Sequence, residues 1–192
     1  MEKESFISLF VLILMLFQVG CSNNNDEKKV EQLLSQMTLE EKVALVHANS
    51  KFTIPGIERL GIPELTMSDG PHGIREELER DSWKPANLTD DSSSYLPNGI
   101  CLASTWNTDL AYEFGKVLGA EARHRDKDIL LAPGVNIMRT PVCGRNFEYF
   151  GEDPFLVSRM AVNYINGVQS QGVGACVKHY FANNQEHLRN SI

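Results

Sequence analysis

Four residues of this 192-residue chain have the chemistry and the setting to hold a ligand: Asp69, Arg145, Lys178 and His179. Asp69 lies in MSDGPHGIR, Arg145 in GRNFEYFGEDP, and Lys178 with His179 in CVKHYFANNQE. A carboxylate at a strand end can accept from two hydroxyls, each charge-assisted bond contributing about 1.5–3 kcal/mol. The planar guanidinium of Arg145 suits bidentate contact with adjacent hydroxyls or with Asp69. Lys178 and His179 follow an apolar stretch, where a lysine is costly to bury without a partner. Set among polar and aromatic neighbours, these groups furnish a pocket for a polyhydroxylated ligand such as a sugar.

Each residue also has a plainer role open to it. An Asp before Gly70 is a common turn former, since its side chain can bond nearby backbone amides. Arg145 could make a surface ion pair with Glu148, Glu152 or Asp153, contributing about 0–1 kcal/mol. Lys178 could leave the sheet toward solvent while His179 packs. Neighbouring side chains of a regular strand point to opposite faces, so both reach one ligand only if the backbone is irregular. A strained or cis peptide is therefore expected there. Arg139 and Glu148 are further candidates for orienting the site, and Trp106, Phe147 and Tyr149 for aromatic platforms. His187 and Arg189 are assigned no chemistry.

The elements that must position these residues alternate. TLEE, Thr38 to Glu41, reads as a capping box opening a helix that runs to about Ala48, with Leu39, Val43 and Val46 as its apolar stripe. Ile62 to Gly70 reads as a short strand ending in a turn, and Asp81 to Ser94 as a polar surface loop. Asn107 is a good N-cap for a helix carrying Leu110, Phe114, Val117 and Leu118. Asp128 to Ile137 reads as a buried parallel strand broken by Pro133 and Gly134. Asp153 and Pro154 start a third helix, with Val157, Met160, Ala161, Tyr164, Ile165 and Val168 on one side and Gly172 at its end. Ala175 to Tyr180 forms the next strand.

Strands separated by helices imply right-handed crossovers and a parallel sheet, either a barrel or an open doubly wound sheet. In both, ligands sit at the carboxyl ends of the strands, where the four residues fall. The chain has no GxGxxG or GxxxxGKS loop, which counts against nucleotide binding.

Charge and targeting narrow the setting. With 18 Lys and Arg against 25 Asp and Glu, the net charge is −7, and no basic stripe invites nucleic acid as a partner. Residues 1–20 read as a signal segment: the apolar run Phe6 to Gly20 is shorter than the ~20 residues that span a bilayer. Gly20 followed by Cys21 resembles a bacterial lipoprotein cleavage site, with Cys21 the lipidated terminus; the alternative is an uncleaved membrane anchor. Either way an extracytoplasmic, periplasmic or outer-membrane location is expected. Residues 21–29 read as a polar, structureless tether. Cys101, Cys143 and Cys176 lack metal-ligand spacing and are expected to be buried free thiols.

The three motif segments, in this order, resemble glycoside hydrolase family 3, the β-glucosidase family. The resemblance covers residues 30–192 and implies an α/β fold, the N-terminal part of a (β/α)8 TIM-type barrel, incomplete here because a full barrel takes about 250 residues. It implies that Asp69 grips the terminal sugar and that Arg145, Lys178 and His179 bind substrate. The implied reaction is hydrolysis of terminal β-D-glucosyl residues by a retaining double displacement through two carboxyl groups, with no cofactor and no metal. Nucleophile and acid/base are expected after residue 192, so the chain would be an inactive fragment carrying the sugar-binding part, its partners an oligosaccharide or glucoside and the remainder of the same protein. KHYFANNQE fits the glucosidase or xylosidase branch better than the N-acetylglucosaminidase branch, which carries KHFPGHG. A non-catalytic sugar-binding lipoprotein is the other reading.

Overall fold

Two long helices form where the apolar periodicity asks for them, and their mutual packing builds most of the core. The structure is a computed structural model that describes residues 23–89 and 91–191. The signal segment 1–20 and Cys21 lie outside the described residues.

Five α-helices are described: α1 (Asn23–Gln36), α2 (Leu39–Ala44), α3 (Gly99–Ala103), α4 (Thr108–His124) and α5 (Pro154–Gln169). The start signals read from the sequence hold at atomic detail. The Thr38 hydroxyl accepts from the Glu41 amide at 3.2 Å while the Glu41 carboxylate accepts from the Thr38 amide at 2.9 Å. Asn107 Oδ1 accepts from the amides of Asp109 and Leu110, and Asp153 caps α5 through the Phe155 amide. The ends are less faithful. α2 stops at Ala44, four residues before the expected end, and Leu39, Val43 and Val46 are all exposed. The stretch expected as a structureless tether is helical from Asn23, since Glu, Lys and Gln lose little side-chain freedom in a helix.

α4 and α5 interlock through Ala111, Phe114, Leu118 and Ala122 on one side and Val157, Met160, Ala161, Tyr164 and Val168 on the other. Leu110 and Val117, expected on that stripe, remain more than 40% exposed because the contact face is narrower than the apolar face. Two glycines set the approach. A Cβ on Gly115 would collide with the Tyr164 carbonyl, and one on Gly167 with the Tyr112 carbonyl. The helix backbones therefore touch directly, closer than side chains would allow.

The open sheet has four strands in the order β1 (Thr53–Ile54), β2 (Leu65–Asp69), β3 (Ile129–Leu131) and β4 (Gly174–Ala175). β2, β3 and β4 are parallel, with α4 and α5 as crossovers, whereas β1 pairs antiparallel with β2 through Thr53 and Thr66. The mixed sheet departs from the all-parallel expectation because β1 and β2 are joined by a short hairpin-like connection, too short for a crossover. β4 is shorter than the expected 175–180. Its backbone nonetheless follows β3 past the strand end: Lys178 donates its amide to the Pro133 carbonyl at 3.0 Å, and Val135 donates to the Lys178 carbonyl at 2.8 Å.

The polar loop 81–94 is tied down more firmly than its composition suggests. Asp91 and Arg125 form an ion pair whose side chains are only 11% and 8% exposed, and Asp91 also accepts from the Glu77 amide at 2.7 Å. Of the three cysteines, Cys143 is buried, but Cys101 and Cys176 are exposed, contrary to expectation; all three are free thiols.

Candidate functional site

All four sequence-predicted residues meet at the carboxyl ends of the parallel strands. Asp69 closes β2, Arg145 enters from the loop between β3 and α5, and Lys178 with His179 follow β4. Asp69 Oδ1 accepts from Lys178 Nζ at 2.6 Å and from the Gly70 amide at 2.9 Å. Among the described residues no donor engages Asp69 Oδ2, so this oxygen is open to a ligand hydroxyl. The turn contact to the Gly70 amide and the ion pair to Lys178 thus both use Oδ1.

Arg145 is held in a bidentate pair with Glu148, Nε to Oε1 at 2.7 Å and Nη2 to Oε2 at 2.6 Å. Glu148 Oε2 also lies 3.9 Å from Lys178 Nζ, and Glu186 Oε1 lies 3.8 Å from Arg145 Nη1. Asp69, Lys178, Glu148, Arg145 and Glu186 therefore alternate in sign along one partly buried network. The ion-pair partner anticipated for Arg145 is real, but it is 11% exposed, well away from the surface setting in which such pairs contribute little.

His179 Nε2 sits 2.7 Å from Arg145 Nη2, its Nδ1 is 3.0 Å from the Tyr149 hydroxyl, and its amide donates to Asn136 Oδ1 at 2.9 Å. The Lys178–His179 peptide is cis, in line with the irregular backbone expected there. Both side chains face the one network.

These surroundings set the protonation states. Burial pushes the Asp69 carboxyl up, but the charge and hydrogen bond of Lys178, the Gly70 amide and the charge of Arg75 outweigh it, so its pKa falls below the usual range. Burial, reinforced by the Arg145 and Lys178 charges, lowers the His179 pKa and keeps the ring neutral. Tyr149 is driven the other way, its phenol pKa raised chiefly by burial.

The N-terminal domain of glycosyl hydrolase family 3 matches residues 26–189. The chain belongs to glycosyl hydrolase family 3. A β-glucosidase of Bacteroides ovatus is 56% identical over 166 residues, covering 86% of this chain and 22% of that protein. The thermostable β-glucosidase B of Acetivibrio thermocellus is 46% identical, covering 85% and 22%. Among solved structures, β-glucosidase 3B from Thermotoga neapolitana in complex with glucose aligns with a TM-score of 0.72 at 44% identity, over 82% of this chain and 24% of that one. The chain thus spans about a fifth of the length of the curated relatives it matches.

Within the family 3 chain, several expected roles change. Tyr149 is fully buried and cannot offer a face to a sugar, whereas Phe147 and Trp106 are exposed. Arg139 lies with Asn136 and His179 around an open depression of about 240 Å³, so it stays near the site. Sequence reasoning missed Asn136, Asn183 and His72. Asn183 donates to both the Tyr149 hydroxyl at 2.8 Å and Glu186 at 2.9 Å. His72, 5% exposed, accepts from the Gly99 amide at 3.0 Å and pins the loop after β2 to the start of α3. Asn183 lies within KHYFANNQE and His72 within DGPHGIR; only contacts across the fold separate them from their neighbours. Arg189, assigned no chemistry, extends the ion-pair network through Glu186 at 2.8 Å.

Proposed function

We propose that this chain forms the N-terminal part of a (β/α)8 barrel and provides the subsite that binds the terminal glucosyl residue of an oligosaccharide or glucoside. The observation carrying this reading is the convergence of Asp69, Arg145, Lys178 and His179 from three separate strand ends into one charge-paired network. Its alignment with a β-glucosidase bound to glucose supports a hexose as occupant. The open Asp69 Oδ2 accepts from one sugar hydroxyl, and the two hydrogens of Lys178 Nζ not given to Asp69 serve its neighbour. In the whole protein the reaction is hydrolysis of β-D-glucosides by a retaining double displacement, with nucleophile and acid/base supplied outside these residues.

Titration calorimetry of the chain with gluconolactone and glucose tests this. Binding that drops at least tenfold in Asp69→Ala is the expected result; no binding, or binding indifferent to that change, overturns it. We also propose an extracytoplasmic location with a lipid on Cys21. Mass spectrometry of the N-terminal peptide of the native protein decides that point, an unmodified Cys21 counting against it.

A further inference from the structure

We propose that Tyr149 is a positioning residue of this site: its hydroxyl oxygen accepts a hydrogen bond from His179 Nδ1–H, which keeps the proton on Nδ1 and leaves the Nε2 lone pair to receive Arg145. The role of Arg145 in gripping a sugar rests on the reading above, but the proton assignment does not.

The argument follows from what each group can donate. Arg145 has only donors, and its Nη2 lies 2.7 Å from His179 Nε2, so Nε2 must be the unprotonated nitrogen. A neutral imidazole then carries its proton on Nδ1. Two acceptors compete for it: the Tyr149 hydroxyl at 3.0 Å and Asn136 Oδ1 at 3.4 Å. The second is at the long end of hydrogen bonding, and Asn136 Oδ1 already accepts from the His179 amide at 2.9 Å. Tyr149 is 0% exposed, so no solvent replaces its hydroxyl if it is removed. Asn183 Nδ2 donates to the same oxygen at 2.8 Å and fixes the phenol from the other side.

The consequence reaches Arg145. Nη2 has two hydrogens, one for Glu148 Oε2 at 2.6 Å and one for His179 Nε2. Nε is spent on Glu148 Oε1. What remains is Nη1, from which the Glu186 carboxylate is 3.8 Å away and out of hydrogen-bond range. Tyr149 thus determines, through His179, which edge of the guanidinium is presented to a ligand. If His179 carried its proton on Nε2, donor would face donor and Arg145 would have to turn away.

The test is long-range ¹H–¹⁵N correlation on the full chain labelled at histidine, without sugar. His179 should show a protonated Nδ1 and an unprotonated Nε2, with an Nδ1 proton protected from exchange. Tyr149→Phe, which keeps the ring, should abolish that protection, while Asn183→Ala should retain the tautomer. Gluconolactone affinity should fall about tenfold in Tyr149→Phe, the equivalent of one lost hydrogen bond. A proton on Nε2 in the wild type overturns the assignment even if the variant fails to fold, and so does protection or affinity unchanged by Tyr149→Phe. Absence of sugar binding in the wild type would instead overturn the functional reading and leave the tautomer result standing.

Discussion

Lys178 Nζ lies 2.6 Å from Asp69 Oδ1, joining the ends of β2 and β4 across 109 residues of sequence. The lysine side chain is 13% exposed and the aspartate 32%, so the pair is shielded on the lysine side and reachable on the carboxylate side. That asymmetry suits the sugar-binding role proposed for the pair. The lysine holds the carboxylate ionised, and one carboxylate oxygen stays free to accept.

Breaking the pair should be visible in both stability and titration. Lys178→Met is expected to cost about 2 kcal/mol, in the range of a hydrogen bond between charged groups. It should also raise the Asp69 pKa, since burial, which opposes ionisation, would no longer be offset by the lysine. Urea unfolding and carboxylate ¹³C titration measure the two effects. A variant with an unchanged Asp69 titration would show that the Gly70 amide and Arg75 suffice.

Two histidines with lowered pKa values, the buried His72 and the partly buried His179, give the stability a defined pH dependence. Burial lowers the pKa of His72 and of His179, so both stay neutral in the fold while the unfolded chain protonates near the ordinary value of about 6.5. A depressed folded pKa means their contribution is complete above about pH 6.5 and declines as pH falls below it. Unfolding free energy should therefore be lower at pH 5.5 than at pH 7.5, with a smaller difference in His179→Gln. Equal values at the two pH values would contradict the assignment.

The contact between α4 and α5 is expected to be intolerant of a single methyl group. Gly115→Ala places a Cβ against the Tyr164 carbonyl, and rigid backbone lies on both sides of the clash. Although alanine favours helix, relief demands separating the helices, at a cost of about 1–3 kcal/mol. Thermal unfolding should show a clearly lowered midpoint. A midpoint unchanged or raised would mean that the helices part at no cost.

Local rules legible in the sequence determined the helix starts at Thr38, Asn107 and Asp153, because a cap is a short-range hydrogen bond between a side chain and amides two or three residues on. They determined the order of the three parallel strands and their crossovers, and so the face on which Asp69, Arg145, Lys178 and His179 lie. Family motifs picked out those four residues. What only the tertiary structure decided were the partners. Arg145 had three acidic candidates in sequence and chose Glu148, which also approaches Lys178. Tyr149 looked like a platform and is a buried hydrogen-bonding residue, since its exposure depends on how the start of α3, the Gly134 turn and the Asn183 segment close around it. The antiparallel β1, the exposed faces of α2 and the buried Asp91–Arg125 pair were illegible for the same reason. Each depends on contacts between segments distant in sequence, and periodicity reports that a face is apolar without saying what will cover it.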